Sequence, residues 1–169
     1  MPTLLVSDTS VLIDLDRGGI LHEIFKPPFE VGVPDLLFEG ELKHWHGPAL
    51  EPMGLRVLVL DGAGVSLAQS YRARERRLSL PDAFALALAK TGGHVLLAGD
   101  GSLRALAGVE QVECHGVLWV LDELEQHHVL TAEQLLSALV LITSHLRCRL
   151  PKAEVQVRLA RYRHAEPVG

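Results

Sequence analysis

The chain has 169 residues, 48% of them apolar and 22% charged, a globular composition at the length of one domain. Its longest apolar runs, 83–89 and 135–142, fall far short of the roughly 20 residues that span a bilayer, and the start MPTLLVSD has neither a basic flank nor a small-residue cleavage site; a cytoplasmic protein without a membrane segment is expected. The net charge of -5 is unevenly spread, with 10 Lys and Arg against 19 Asp and Glu over residues 1–144 and 6 against 2 over 145–169, which excludes a generally basic nucleic-acid binder but leaves room for a local basic face.

Residues 3–7 are an apolar run too short for a buried helix. They lead into Asp8-Thr9-Ser10, which opens a helical pattern through Val11, Leu12 and Leu15 and ends at Gly18-Gly19. A second strand at 31–33 precedes Pro34-Asp35, a start signal for a helix carrying Leu37, Phe38, Leu42 and Trp45 and stopped by Gly47-Pro48. Residues 55–60 read as a short strand and 65–78 as an amphipathic helix with a basic face; 80–91 read as a helix that is apolar nearly all round, hence central. After Gly92-Gly93 come a strand at 94–98, the turn Gly99-Asp100-Gly101, a helix at 102–107 and a fifth candidate strand at 109–114. Three helices close the chain at 117–126, 132–145 and 152–163, with Thr131 and Pro151 as start signals. Alternating strands and helices imply an α/β sandwich with a mainly parallel sheet of four or five strands. No repeat, low-complexity tract or linker divides it.

The predicted elements place acids at strand carboxyl ends: Asp8 after the first strand, Glu39 and Glu41 in the first turns after the second, and Asp100 after the fourth. Asp82, at the start of the apolar helix, joins them. In a parallel sheet this edge is where ligands bind. Each acid alone also reads as structural, since Asp8 and Asp100 fit helix N-caps and Ser79-Leu80-Pro81-Asp82 fits a capping box with Asp for Glu. Gathered together, they repel by about 3 kcal/mol per pair at 5 Å and an effective dielectric near 20. A Lys or Arg, protonation or a metal ion must compensate; no lysine follows closely, and Arg104 is the nearest cation in sequence. All-oxygen ligands favour Mg²⁺ or Mn²⁺ over zinc. Such a site readily activates water for in-line displacement at a phosphodiester.

These residues resemble the PIN-domain family of metal-dependent nucleases, which includes VapC-type toxins of toxin–antitoxin modules. The matching pieces are VSDTSVLIDL, VPDLLFEGEL, SLPDAFALALAKTGGHVLLAGDGSLRALA and GVLWVLDEL. The resemblance implies a three-layer α/β/α nuclease domain over 1–126, an acidic pocket for Mg²⁺ or Mn²⁺, and RNA cleavage, with residues 127–169 a helical extension on the same domain. Position by position it makes Asp8, Glu41, Asp82 and Asp100 the catalytic acids and metal ligands, with Glu39 the alternative to Glu41, and Ser10 a supporting hydroxyl. Two positions depart from the family pattern: Ala98 stands where Thr or Ser is usual, and Arg104 where an acid sometimes occurs. A catalytically weak PIN-like module that binds RNA or protein is the alternative these departures suggest.

The run from Tyr71 to Arg77 reads as a solvated helix face or, functionally, as phosphate contacts through Arg72 and Arg76. The basic tail, with Arg158 and Arg161, offers the same choice, its functional partners being RNA or an acidic antitoxin segment. His44 and His46 are two apart on a helix and do not face each other, so no histidine is assigned to metal or catalysis. Trp119 and Leu124, with the apolar stretch 135–142, serve either the core or a homodimer interface. Cys114 and Cys148, with no CxxC spacing, read as reduced, buried thiols. A receiver-type phosphoacceptor would need adjacent acids near the first strand and a late lysine, both absent, and no GxxxxGK[ST] supports a P-loop.

Overall fold

Five short strands, β1 (Leu4–Ser7), β2 (Glu30–Pro34), β3 (Arg56–Leu58), β4 (Val95–Leu97) and β5 (Cys114–His115), pair in parallel in the order β3-β2-β1-β4-β5. This computed structural model describes residues 3–166; residues 1–2 and 167–169, at the ends of the expected segments 1–126 and 127–169, lie outside the described residues. Parallel pairing demands crossovers, supplied by α1 (Thr9–Arg17), α2 (Asp35–Leu37), α3 (Gly47–Leu50), α4 (Gly62–Arg74), α5 (Leu80–Gly92) and α6 (Gly101–Val109). Beyond the sheet follow α7 (Val117–Gln126), α8 (Ala132–Ser144) and α9 (Lys152–Arg163).

The three central strands, β2, β1 and β4, are buried on both faces, and their alternate side chains build two cores. Leu5, Val95 and Leu97 point into a cluster with Val11, Leu12 and Leu15 of α1, Leu121 of α7, Leu139 of α8 and Leu159 of α9. Val6, Leu96 and Ala98 point the other way, into Ala68 and Tyr71 of α4, Leu86 of α5 and Leu103 of α6. The result is a three-layer α/β/α sandwich with the C-terminal helices on the α1 side. Close approach between α1 and α8 depends on Gly18, where a Cβ would meet Ile142 Cδ1 at 3.0 Å. Leu135, Leu139 and Ile142 are fully buried in the core, each such side chain stabilising by about 2 kcal/mol. Trp119 is partly buried against the same cluster and Leu124 fully within it.

Three expected elements differ. The helix from Pro34 past Trp45 is interrupted: after α2 the chain widens into a π-helical turn at Phe38–Leu42, and α3 restarts at Gly47. Gly47 permits that tight restart, because a Cβ there would lie 2.7 Å from the Leu42 carbonyl oxygen. The amphipathic helix begins earlier than residue 65, since Asp61 caps it by accepting from Gly64 N at 2.7 Å, and it ends at Arg74. The fifth strand is not at 109–114: Val109 closes α6, Gln111 takes a positive φ of 58°, and pairing is confined to Cys114–His115. Val109 is exposed and Val112 packs against the α4–α6 core; with its two valines three residues apart, this mixed segment lacks the alternation of a strand and forms a turn.

Candidate active site

β1 has β2 on one side and β4 on the other, so the chain leaving β1 and the chain leaving β4 diverge, opening a crevice at the carboxyl edge. Asp8 stands immediately after β1, its N–H donating to the Leu97 carbonyl at 2.9 Å as one more rung of the ladder. The residue is 2% exposed and its carboxylate meets three local donors: Oδ1 accepts from Val11 N at 2.9 Å, and Oδ2 accepts from Ser10 Oγ at 2.8 Å and Gly99 N at 2.9 Å. A carboxylate has about four lone-pair sites, so Asp8 keeps one for a further partner. Gly99 is a positioning residue that sequence reading passed over as a turn. A Cβ at Gly99 would fall 2.5 Å from Ser10 Oγ, displacing the hydroxyl that holds Asp8.

Asp100 caps α6 by accepting from Leu103 N at 3.0 Å and sits at the solvent edge. Asp82 occupies the third position of α5, where its backbone N–H donates to Ser79 Oγ at 3.2 Å and its carboxylate is met by the Ser79 side chain. The π-turn separates the two glutamates. Glu41 is brought to the start of α1 and accepts from Thr9 Oγ1. Glu39 instead pairs with Lys43 Nζ at 2.9 Å, an exposed i,i+4 contact on its own turn. Thr9 is thus a second positioning residue that sequence reading missed, though it adjoins Asp8. Widened turns of this kind recur at functional sites.

The acids act on one another. Asp82 is pushed up to about 6, first by burial and then by the charge of Asp8, with Asp100 and Glu41 adding to it while Ser79 opposes. Burial likewise raises Asp8, against the three hydrogen bonds that lower it, and Asp100 raises it further. Arg104 donates to the Ala98 carbonyl at 3.3 Å instead, its guanidinium lying where a Cβ on Gly116 would be. Ala98 is fully buried and contributes no hydroxyl. The donor chemistry, all carboxylate oxygen with one site left on Asp8 and further sites on Asp82 beyond its Ser79 contact, suits a hard divalent cation. Among the described residues no three acid, histidine or cysteine side chains are drawn together closely enough to enclose an ion.

The basic residues divide. Arg158 makes a two-pronged pair with Asp122, Nε to Oδ1 at 2.9 Å and Nη2 to Oδ2 at 2.6 Å. Arg161 bridges Asp122 at 2.8 Å and Glu125 at 2.7 Å. These cations expected to meet RNA or an antitoxin therefore tie α9 to α7. Arg72 anchors the turn before α5 through Nε to the Leu78 carbonyl at 3.3 Å, and Arg76 is exposed. His46 lies 3.4 Å from Asp16, away from the acid edge. Both cysteines are free and half-buried rather than buried, and burial raises the Cys114 thiol to about 11, keeping it protonated and unreactive.

Residues 4–163 match a family model for the PIN domain, which runs through the acid edge and into the C-terminal helices. Comparison with curated proteins returned no match. No helix among the described residues is long and apolar enough to cross a membrane.

Proposed function

The chain belongs to the PIN-domain family, and we propose on that footing that it is a Mg²⁺- or Mn²⁺-dependent endoribonuclease. The observation that carries the reading is the mutual electrostatic coupling of Asp8, Glu41, Asp82 and Asp100 at the switch point, with Asp82 at about 6. Asp8, Asp82, Asp100 and Glu41 would hold the cation, Glu39 being occupied by Lys43. When bound, the ion offsets the carboxylates, lowers the pKa of the attacking water and stabilises charge developing on the phosphodiester. Ser10 and Gly99 hold Asp8 in one rotamer, and Thr9 does the same for Glu41, so two ligands are pre-oriented. Asp82, near half-protonated at pH 6, is ionised above that pH, where it would be able to hold the cation.

The toxin role belongs to the same proposal, with an antitoxin protein as partner and a homodimer as the assembled form. The 1–126 segment carries the chemistry, and the 127–169 extension packs on it. Ala98, buried without a hydroxyl, favours one competing reading, a weakly catalytic module that binds RNA or protein. Turnover separates the two. The purified chain is expected to cleave single-stranded RNA with Mg²⁺ or Mn²⁺ and to stop in EDTA, and Asp8→Asn or Asp100→Asn to lose at least about a hundredfold, some 2.7 kcal/mol of transition-state stabilisation. Undiminished cutting by both variants would remove this site from the chemistry.

A further inference from the structure

Two clefts meet beside the acid edge. One, of about 450 Å³, starts at Ser10, Gly99 and Asp100 and runs to Arg147 and Arg149 in the loop between α8 and α9. The other, of about 520 Å³, continues from Gly99 and Arg149 to Arg104, His115 and Trp119. Asp14, Gly99, Arg149 and Leu150 line both, so they form one trough. Together they are of a size that takes small ligands or segments.

The charges along the trough are unequally answered. Arg17 lies 3.5 Å from Asp14, and Arg158 is fixed on Asp122. Arg104, Arg147 and Arg149 have no carboxylate within ion-pair distance among the described residues, although Asp100 borders one end and Glu154 the other. The inner wall carries the rings of His115 and Trp119, stacked 4.2 Å apart at 7°. Unanswered guanidiniums beside an aromatic pair suit a strand of phosphates and bases. An acidic peptide would satisfy the same guanidiniums but would gain nothing from the rings or from leading to the acids.

We propose that this trough is a flank-binding site for single-stranded RNA, in which Arg147 and Arg149 neutralise two backbone phosphates on one side of the bond presented to the acids. The assignment rests on the nuclease reading of that edge. It gives the loop joining α8 and α9 a function and divides the basic tail between substrate contacts, at Arg147 and Arg149, and internal bracing, at Arg158 and Arg161.

Fluorescence anisotropy with a labelled short oligouridylate in EDTA, over a series of salt concentrations, tests binding without cleavage. The Arg147→Gln/Arg149→Gln double variant should bind at least tenfold more weakly at low salt. The slope of log affinity against log salt should shrink by about 1.4, or 0.7 for each single-strand phosphate that is no longer neutralised. Arg147→Lys/Arg149→Lys should recover most of the slope, which a folding defect would not. With Mn²⁺, the Gln variant should show a raised KM and a nearly unchanged kcat. An unchanged slope, failure of the wild type to bind, or tighter binding of oligoglutamate than of oligouridylate each overturns the assignment, the last in favour of an acidic protein partner. Weaker binding by the Gln variant with no cleavage by the wild type in any metal keeps the binding site and removes the nuclease reading. Cleavage with unchanged binding does the reverse.

Discussion

Asp82 carries the most information at the scale of single residues, because its carboxyl is held at about 6 in the fold against 3.8 as the ordinary value. A raised carboxylate means that the folded chain binds its proton more tightly than the unfolded chain. Without metal, the contribution of this group to stability is therefore fully present below about pH 4 and is lost as pH rises through about 6. Asp82→Asn removes the titration. In EDTA its Tm should match or trail the wild type near pH 4 and exceed it at pH 7.5, by roughly 2–4 °C if solvent screening of this partly exposed group leaves about 1 kcal/mol. Melts at the two pH values check this, and a gap that does not change with pH would mean that neither burial nor the neighbouring acids raise Asp82. The acid itself was legible in the sequence from its place at the head of an apolar helix. Its coupling partners were legible only as strand-end acids, and the choice between Glu39 and Glu41 was not legible, because it turns on the π-turn and on Thr9.

At the scale of elements, local chemistry and tertiary chemistry share the same atoms. Asp8 and Asp100 are helix caps, as their places at the head of helical patterns imply, and they are also the acids flanking the crevice. The start of α8 was readable for this reason, since Thr131 with Gln134 forms a reciprocal capping box; α7 and α9 also lie where expected, although neither has a side-chain cap, and the Asp61 cap of α4 was missed. What escaped sequence reading were features fixed by tertiary contact, namely the restart at Gly47, the positive φ at Gln111 and the pairing of the basic tail. Charge counting saw six cations beyond residue 144 but had no means of showing that Asp122 and Glu125 on α7 face two of them. Arg158→Gln should therefore act through α9. Its side chain is only 16% exposed, and its removal leaves Asp122 with Arg161 alone, so a cost of about 1 kcal/mol, or 2–4 °C in Tm, is expected. RNA affinity and its salt slope should stay as in wild type. A changed slope with an unchanged Tm would place Arg158 on the substrate instead.

For the whole molecule, the parallel sheet concentrates acids at one edge of a chain that is already negative, and the fold bears that repulsion whenever nothing positive occupies the edge. A divalent cation that binds only the folded chain must raise stability by RT ln(1 + [L]/Kd), about 2.7 kcal/mol at a hundred times Kd. At this chain length that corresponds to a rise of roughly 5–11 °C in Tm. Mn²⁺ titration followed by thermal melting, at fixed pH and ionic strength, should show this rise for wild type and a much smaller one for Asp8→Asn, Asp82→Asn and Asp100→Asn. The metal-free melts separate charge from structure. Asp82→Asn, which keeps the backbone cap to Ser79 and an amide oxygen for the Ser79 hydroxyl, should melt at or above wild type in EDTA at neutral pH. Asp8→Asn gives up part of a cap worth about 1 kcal/mol, along with the Ser10 and Gly99 hydrogen bonds, and should melt lower despite the relief of repulsion. Raising salt should narrow the Asp82→Asn difference, since screening weakens repulsion at the partly exposed edge, but should leave the Asp8→Asn deficit almost intact because that carboxylate is buried. Equal Mn²⁺-induced shifts in wild type and all three variants would mean that these acids share no cation, and the shared edge would then be a by-product of capping in a parallel sheet.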